Sequence, residues 1–213
     1  MRQELLIGIT ESGVMRTDAD PPISLDTKFQ MVKEFGVYDY FDKTPPLELE
    51  DDYRRCSEKY ELPILAGGWF YVLGRDEDLL MENLRLGARL GSLVHNTQII
   101  MDHQDGSLVS DEQVVEIYLR AYETGEACGC RPTFEVHVNM WSEDFRRIEK
   151  VADLVEKQGI PFRMTLDHSH VIFKIDNPRE QEVFNIRESI ENGDLVLDPF
   201  QNNHVCGKWI DRG

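Results

Sequence analysis

A chain of 213 residues and 24.7 kDa, 41% hydrophobic and 9% aromatic, can bury one substantial core and has room for one domain, or at most two small ones. Twenty-three Lys and Arg against forty Asp and Glu give a formal charge of −17, a field that repels phosphate backbones, and no long basic cluster overcomes it locally, so nucleic acid is a poor partner. No apolar run reaches eighteen residues, the apolar stretch after Met1 is too short for a signal peptide, and Cys56, Cys128, Cys130 and Cys206 lack a secretory context, so the expectation is a cytoplasmic protein with reduced thiols and no membrane span.

The chain then repeats one rhythm of short apolar strand, polar loop and amphipathic helix. Strand-like runs begin near Leu5, Gly36, Pro63, Thr97, Pro132 and Pro161, about thirty residues apart, the length of a βαβ unit. Helices are predicted from Ser24 to Phe35, from about Leu47 to Tyr60 after Pro45-Pro46, and from Asp76 to Leu90 before Gly91. A fourth opens at Ser110-Asp111-Glu112 and runs toward Gly125 or beyond. A fifth opens at Ser142-Glu143-Asp144 and ends before Gly159, and a sixth runs from about Pro178 to Asn192. Ser or Asp at the start, acids in the first turn and Gly after the last are the capping signals of α-helices.

Six strand–helix units without a hairpin signal predict parallel strands, since parallel neighbours need a helical crossover. The strand faces then separate an open sheet from a barrel. In Thr133-Phe134-Glu135-Val136-His137-Val138-Asn139, one face reads Phe, Val, Val and the other Thr, Glu, His, Asn; Arg163, Thr165 and Asp167 likewise oppose Phe162, Met164 and Leu166. A strand inside a flat α/β sheet is apolar on both faces, whereas a barrel strand with a polar mouth alternates. The reading is a parallel (β/α) TIM-type barrel over residues 1–213 as a single domain. About six of the eight units are present, because the tail Leu195-Val196-Leu197 and His204 to Ile210 cannot supply two more. Two open sheet edges lead to a further expectation, self-association into a homo-oligomer, which light scattering reads directly.

Glu135 near the end of the fifth strand and Asp167 at the end of the sixth are the leading candidates. Two carboxylates on adjacent strands in a polar mouth repel unless a cation or a proton is shared, and oxygen-rich ligation suits magnesium or manganese, with zinc possible if histidines join. The same residues equally allow a structural salt bridge from Glu135 to Arg163. His170 completes Asp167-x-x-His170 and is placed to meet a metal or a substrate hydroxyl, with His168 between them read as structural. His137 shares the face of Glu135. His103 is expected to point into the mouth, since Thr97, Ile99, Met101 and His103 alternate along one face. Gly67-Gly68 permit close approach of a ligand, Trp69 offers an apolar wall for a sugar ring, and Phe70 is assigned to core packing. No P-loop, nucleophile elbow or dinucleotide fingerprint occurs.

In Phe134-Glu135-Val136-His137 and Leu166-Asp167-His168-Ser169-His170, on top of the strand rhythm, the sequence resembles the xylose isomerase-like TIM-barrel superfamily of sugar isomerases, ketose epimerases and endonuclease IV. The resemblance implies that Glu135 and Asp167 bind a divalent metal (Mn, Mg, Co or Zn) and that Glu135 also acts as acid/base. It further implies that His170 contacts substrate or metal, and His103 matches a strand-four histidine of some members. The implied substrate is a small carbohydrate, turned over by proton transfer through an enediolate. The family completes its metal shell from strands seven and eight, which are not found here, and His204 does not sit in the family's motif.

Overall fold

The computed structural model describes residues 5–14, 21–167 and 178–193. Six strands form one sheet in sequential order: β1 (Gly8–Thr10), β2 (Tyr40–Asp42), β3 (Ile64–Tyr71), β4 (Val94–Ile99), β5 (Arg131–Glu135) and β6 (Met164–Thr165). The strands are parallel and helices lie between them in the chain. Sequential parallel order is the topology of an incomplete (β/α) barrel and excludes a shuffled flavodoxin-like sheet. The helices are α1 (Leu25–Phe35), α2 (Glu50–Tyr60), α3 (Glu77–Leu90), α4 (Asp111–Cys128), α5 (Phe145–Glu156), α6 (Pro178–Val183) and α7 (Ile186–Glu191). None of the described helices is long and apolar enough to cross a membrane.

Most predicted ends are where capping chemistry puts them. Ser24 Oγ accepts the Thr27 N–H at 3.1 Å, and α1 stops at Gly36, whose φ of 67° is the left-handed turn that glycine adopts at no steric cost. At α4, Ser110 and Gln113 form a reciprocal capping box: Ser110 Oγ accepts the Gln113 N–H at 3.2 Å, and Gln113 Oε1 accepts the Ser110 N–H at 2.8 Å. Three expectations shift. The stretch from Leu47 starts as a 3₁₀ turn (Leu47–Leu49) before α2, and β4 begins at Val94 rather than Thr97. α4 runs as expected beyond Gly125, where a side chain would strike the Cys130 carbonyl, so that glycine serves close packing. Finally, α5 is capped by Asp144, whose carboxylate accepts the Arg146 N–H at 3.0 Å, while Ser142 lies in a 3₁₀ turn (Trp141–Glu143) and donates elsewhere.

The residues fall into two compact units interleaved along the chain: 5–14, 21–69, 79–96 and 121–132 in one, and 70–78, 97–120, 133–167 and 178–193 in the other. The first has its core where Phe29 of α1 stacks on Phe41 of β2 at 4.3 Å and meets Tyr53 of α2 edge to face, with Val32, Cys56, Leu62 and Ile64 around them. Above it, Glu11 is hydrogen-bonded by Lys28 (2.6 Å), Lys43 (2.9 Å) and the Tyr53 hydroxyl (2.9 Å). Burial alone would raise the Glu11 carboxyl, but these three donors overturn it and hold it at about 2, below the ordinary 4.5. The folded state therefore binds this proton less tightly than the unfolded chain, so the stabilisation is present above pH 4.5 and lost as pH falls toward 2. Glu11→Gln is expected to remove roughly 3 kcal/mol at pH 7 and much less at pH 2.5, read from urea denaturation at the two pH values. Equal losses at both would refute the electrostatic account.

The second unit is built on aromatic packing. Phe134 of β5 is fully buried against Tyr118 of α4 (5.0 Å between centroids), Trp141 and Phe162 (both 6.4 Å). The Tyr118 hydroxyl donates to the Pro161 carbonyl at 2.7 Å and accepts the Arg163 N–H at 2.8 Å, pinning the chain that leads into β6. The predicted sixth helix is broken into α6 and α7 at Asn185, which takes φ 51°. The Phe184 ring lies 4.4 Å from the Arg147 guanidinium, and the Phe184 carbonyl accepts Arg146 Nη2 at 3.3 Å, which turns the backbone out of the helix there.

Candidate active site at the end of the fifth strand

Thr133, Phe134 and Glu135 alternate as expected. Phe134 turns to the aromatic core, while Thr133 Oγ1 meets Thr165 Oγ1 on β6 at 2.7 Å across the opposite, polar face. Glu135 is the last residue of β5 and only 5% exposed. Its main chain is fixed from two sides. The Ser142 hydroxyl donates to the Glu135 carbonyl at 2.5 Å, and the following residue, Val136, donates its N–H to Thr165 at 3.1 Å. The loop beyond turns tightly through Asn139 (φ 62°), whose N–H is held by Glu143 at 2.8 Å. A carboxylate on so constrained a backbone is held in place before any ligand arrives.

One side-chain partner of Glu135 is Gln98 on β4, whose amide donates to Oε2. The sequence reading did not single out Gln98. The signal was present: His95, Thr97 and Ile99 are buried, and the alternate positions Asn96 and Gln98 are half-buried and polar. This alternation corrects the expectation for His103. Because Gln98 meets Glu135, the buried face of Thr97 and Ile99 is the opposite one. The strand ends at Ile99, and His103 sits in a turn where Nδ1 accepts the Asp105 N–H at 3.3 Å. There it lines a cleft with Glu77 of α3 and Gln113, Ile117 and Arg120 of α4.

Asp167 is half-buried and lies two residues past β6. The residue paired with Glu135 in the register is Thr165, so the two carboxylates are offset by two positions, about 6–7 Å along the strand direction, rather than directly opposite. β6 is shorter than predicted, and that is why. His137 is half-buried just beyond β5, and its Nδ1 donates to the Val138 carbonyl at 2.8 Å. Its ring meets Phe70 edge on at 5.8 Å. Phe70, assigned to the core by sequence, is 45% exposed and is the β3 aromatic at this site. Trp69 points to the other face of β3, where it lines a separate cleft with Thr44, Leu47 and Leu79. The space beside Gly67 and Gly68 is taken by Thr44 and by the Asn96 carbonyl, so these glycines admit neighbouring chain rather than ligand. His170, with His168 and His204, lies outside the described residues.

Among the described residues, no three His, Cys, Asp or Glu side chains gather as a metal centre. The donor chemistry of Glu135 and Asp167, two carboxylates from neighbouring strand ends, nevertheless suits a hard divalent cation held weakly.

No family model and no curated protein sequence matches the chain. Solved structures do. The IOLI protein with a binding zinc atom aligns with a TM-score of 0.54 at 14% identity, over 74% of this chain and 62% of its own. The 3-keto-D-glucoside 4-epimerase from E. coli aligns at 0.59 and 13%, over 91% and 77%. A xylose isomerase-like TIM barrel protein from Mycobacterium smegmatis, in complex with magnesium, aligns at 0.54 and 10%, over 78% and 66%. The chain spans less than two thirds of the length of the first and third of these. Identities this low show the fold alone, a parallel (β/α) barrel, of which the described residues of this chain form six strands.

Proposed function

We propose that the chain acts on a small carbohydrate as an isomerase or epimerase, with Glu135 moving a proton next to the sugar carbonyl. The observation that carries this reading is the buried Glu135 carboxylate at the end of a parallel strand, oriented by Gln98 and set on a rigid backbone. Glu135 takes the proton from the carbon beside the carbonyl and returns it to the neighbouring carbon while the hydroxyl proton passes from one substrate oxygen to the other; in an epimerisation a second acid would deliver a proton to the opposite face of the same carbon. Gln98 orients the carboxylate by holding one of its oxygens. His137 stands beside the substrate, and Phe70 supplies the apolar wall next to it. Glu135 and Asp167 would hold the divalent ion (Mn, Mg, Co or Zn); when bound, it supplies positive charge that favours the negative charge developing on the substrate oxygens. With two carboxylates as ligands among the described residues, affinity falls at least about tenfold for each missing ligand or outer partner.

The test is solvent exchange. Ketoses incubated in heavy water with the protein and Mn²⁺ are expected to gain deuterium beside the carbonyl, and Glu135→Gln to slow this by about 10²–10⁴-fold. Undiminished exchange in Glu135→Gln removes Glu135 from the chemistry. Calorimetric titration of Mn²⁺ into the protein, Glu135→Gln and Asp167→Asn gives the metal its own readout. Identical isotherms would return Glu135 to a purely structural role. The small ligand set among the described residues favours one second reading, a carbohydrate-binding protein without turnover, which the same experiment separates by binding without exchange. An endonuclease-like role is opposed by the charge of −17.

A further inference from the structure

The C-terminal ends of β2 and β3 carry a second cleft, of about 290 Å³, enclosed by Thr44, Pro45, the 3₁₀ turn at Leu47 and Glu48, Trp69, and Leu79 and Glu82 of α3. Trp69 is 43% exposed there, and Leu47 and Leu79 are also exposed, an unusual amount of apolar surface to leave in water beside an indole ring. The polar groups of the cleft are one-sided. Glu48 and Glu82 contribute two carboxylates, and no Lys or Arg is among the lining residues. In the same unit Glu50 is bridged by Arg54 and Arg89, Asp26 by Lys59, Asp52 by Arg55, and Glu11 by Lys28 and Lys43. Glu48 and Glu82 have no salt bridge among the described residues. Lys43 stands 5.9 Å from the centre of the Trp69 ring and shares the Glu11 carboxylate, at 2.9 Å, with Lys28.

We propose that this cleft binds a compact organic ammonium ion carrying an apolar body, with the cation over Trp69 and between Glu48 and Glu82. The chemistry matches on three counts. An aromatic face attracts a cation through its quadrupole, strongest for Trp, and apolar substituents on the nitrogen fill the Pro45, Leu47 and Leu79 walls. Glu48 and Glu82, neither of them in a salt bridge among the described residues, supply counter-charge for such a cation, with Arg89 the cation that Glu82 also feels. The field of the −17 chain concentrates cations and repels the anionic alternatives, sugar phosphates and carboxylates among them.

Choline and its neutral isostere 3,3-dimethylbutan-1-ol are the probes, each titrated into the whole chain by calorimetry and by tryptophan fluorescence, with methyl glucoside as a third ligand. Choline is expected to bind in the millimolar range and to perturb Trp69, with the isostere at least about fivefold weaker. Each exposed carboxylate contributes about threefold, so the Glu48→Gln/Glu82→Gln double variant loses about tenfold, and raising the salt to 0.5 M loses a similar factor, a screening length of roughly 4 Å. Trp69→Leu abolishes binding. Both glutamates are on the surface, and unchanged melting of the double variant shows that its loss is local. Equal affinities for choline and the isostere overturn the proposal, as does choline binding that survives the double variant. Tighter binding of methyl glucoside than of choline also overturns it and makes the cleft a sugar site.

Discussion

Arg147→Met is expected to destabilise the protein by about 3–5 kcal/mol, the cost of stranding a buried charge. Arg147 is 3% exposed and is used on every side. Its Nε donates to Asp111 Oδ1 at 2.7 Å, its Nη2 donates to the Val109 carbonyl at 2.6 Å, and its guanidinium covers the Phe184 ring. Removing it leaves the Asp111 carboxylate in the interior with Lys150, at 2.9 Å from the surface side, as its remaining ion pair among the described residues, and leaves the Val109 carbonyl without this donor. Lys150→Met is the control: its side chain is more than half exposed, so its loss should stay within about 1 kcal/mol. Replacing both members, Arg147→Met with Asp111→Leu, should recover part of the loss because no charge is then stranded. Urea denaturation followed by circular dichroism reads all three. A loss below 1 kcal/mol for Arg147→Met alone would show that the pair is not sustaining the α4–α5 packing.

The second large effect is a loss of stability on raising the pH. Glu180 of α6 is 1% exposed and is surrounded by Glu143, Asp144 and Asp102, with Arg147 as the opposing charge. Burial, first, and then the repulsion of Glu143 push its carboxyl from 4.5 up to about 8. The folded state thus binds the Glu180 proton more tightly than the unfolded chain. Its contribution is fully present below pH 4.5 and is lost as pH rises through about 8. Between pH 5 and pH 9 the protein should lose about 3–5 kcal/mol on this account, and Glu180→Gln, which keeps the shape and cannot ionise, should flatten the profile. Hydrogen exchange is expected to show α6 and α7 opening first at pH 9 in the parent protein and staying protected in the variant. A parent profile flat from pH 5 to 9 would mean that Glu180 is already ionised and paired at neutral pH.

What was legible from sequence follows from local physics. Capping by Ser24 and by the Ser110/Gln113 pair, the glycine stop at Gly36 and the thirty-residue period depend only on neighbours along the chain, and they fixed the order and parallel sense of the strands. The alternation of Thr133, Phe134 and Glu135 also survives, because β5 stays regular through Glu135. The assignments that shifted all depend on where a strand ends or which way it faces. β4 ends at Ile99 and carries His103 away from the face extrapolated for it; β6 ends at Thr165 and leaves Asp167 two residues beyond its expected register; at β3, Phe70 and not Trp69 meets His137. A one-residue change in strand phase turns every later side chain to the other face, so such errors propagate.

Other features exist only because distant segments meet. Gln98 becomes a partner of Glu135 through the packing of β4 beside β5, thirty-seven residues on. The helix after Pro178 breaks at Asn185 because Arg146 and Arg147, some forty residues earlier, take hold of Phe184. Glu180, one of many acids in a chain of charge −17, is set apart only by burial beside Glu143. Composition and local pattern determined a parallel α/β chain with a carboxylate at the end of its fifth strand. Tertiary structure decided the neighbours of that carboxylate, because register, burial and electrostatic coupling are properties of contacts between segments and not of any one of them.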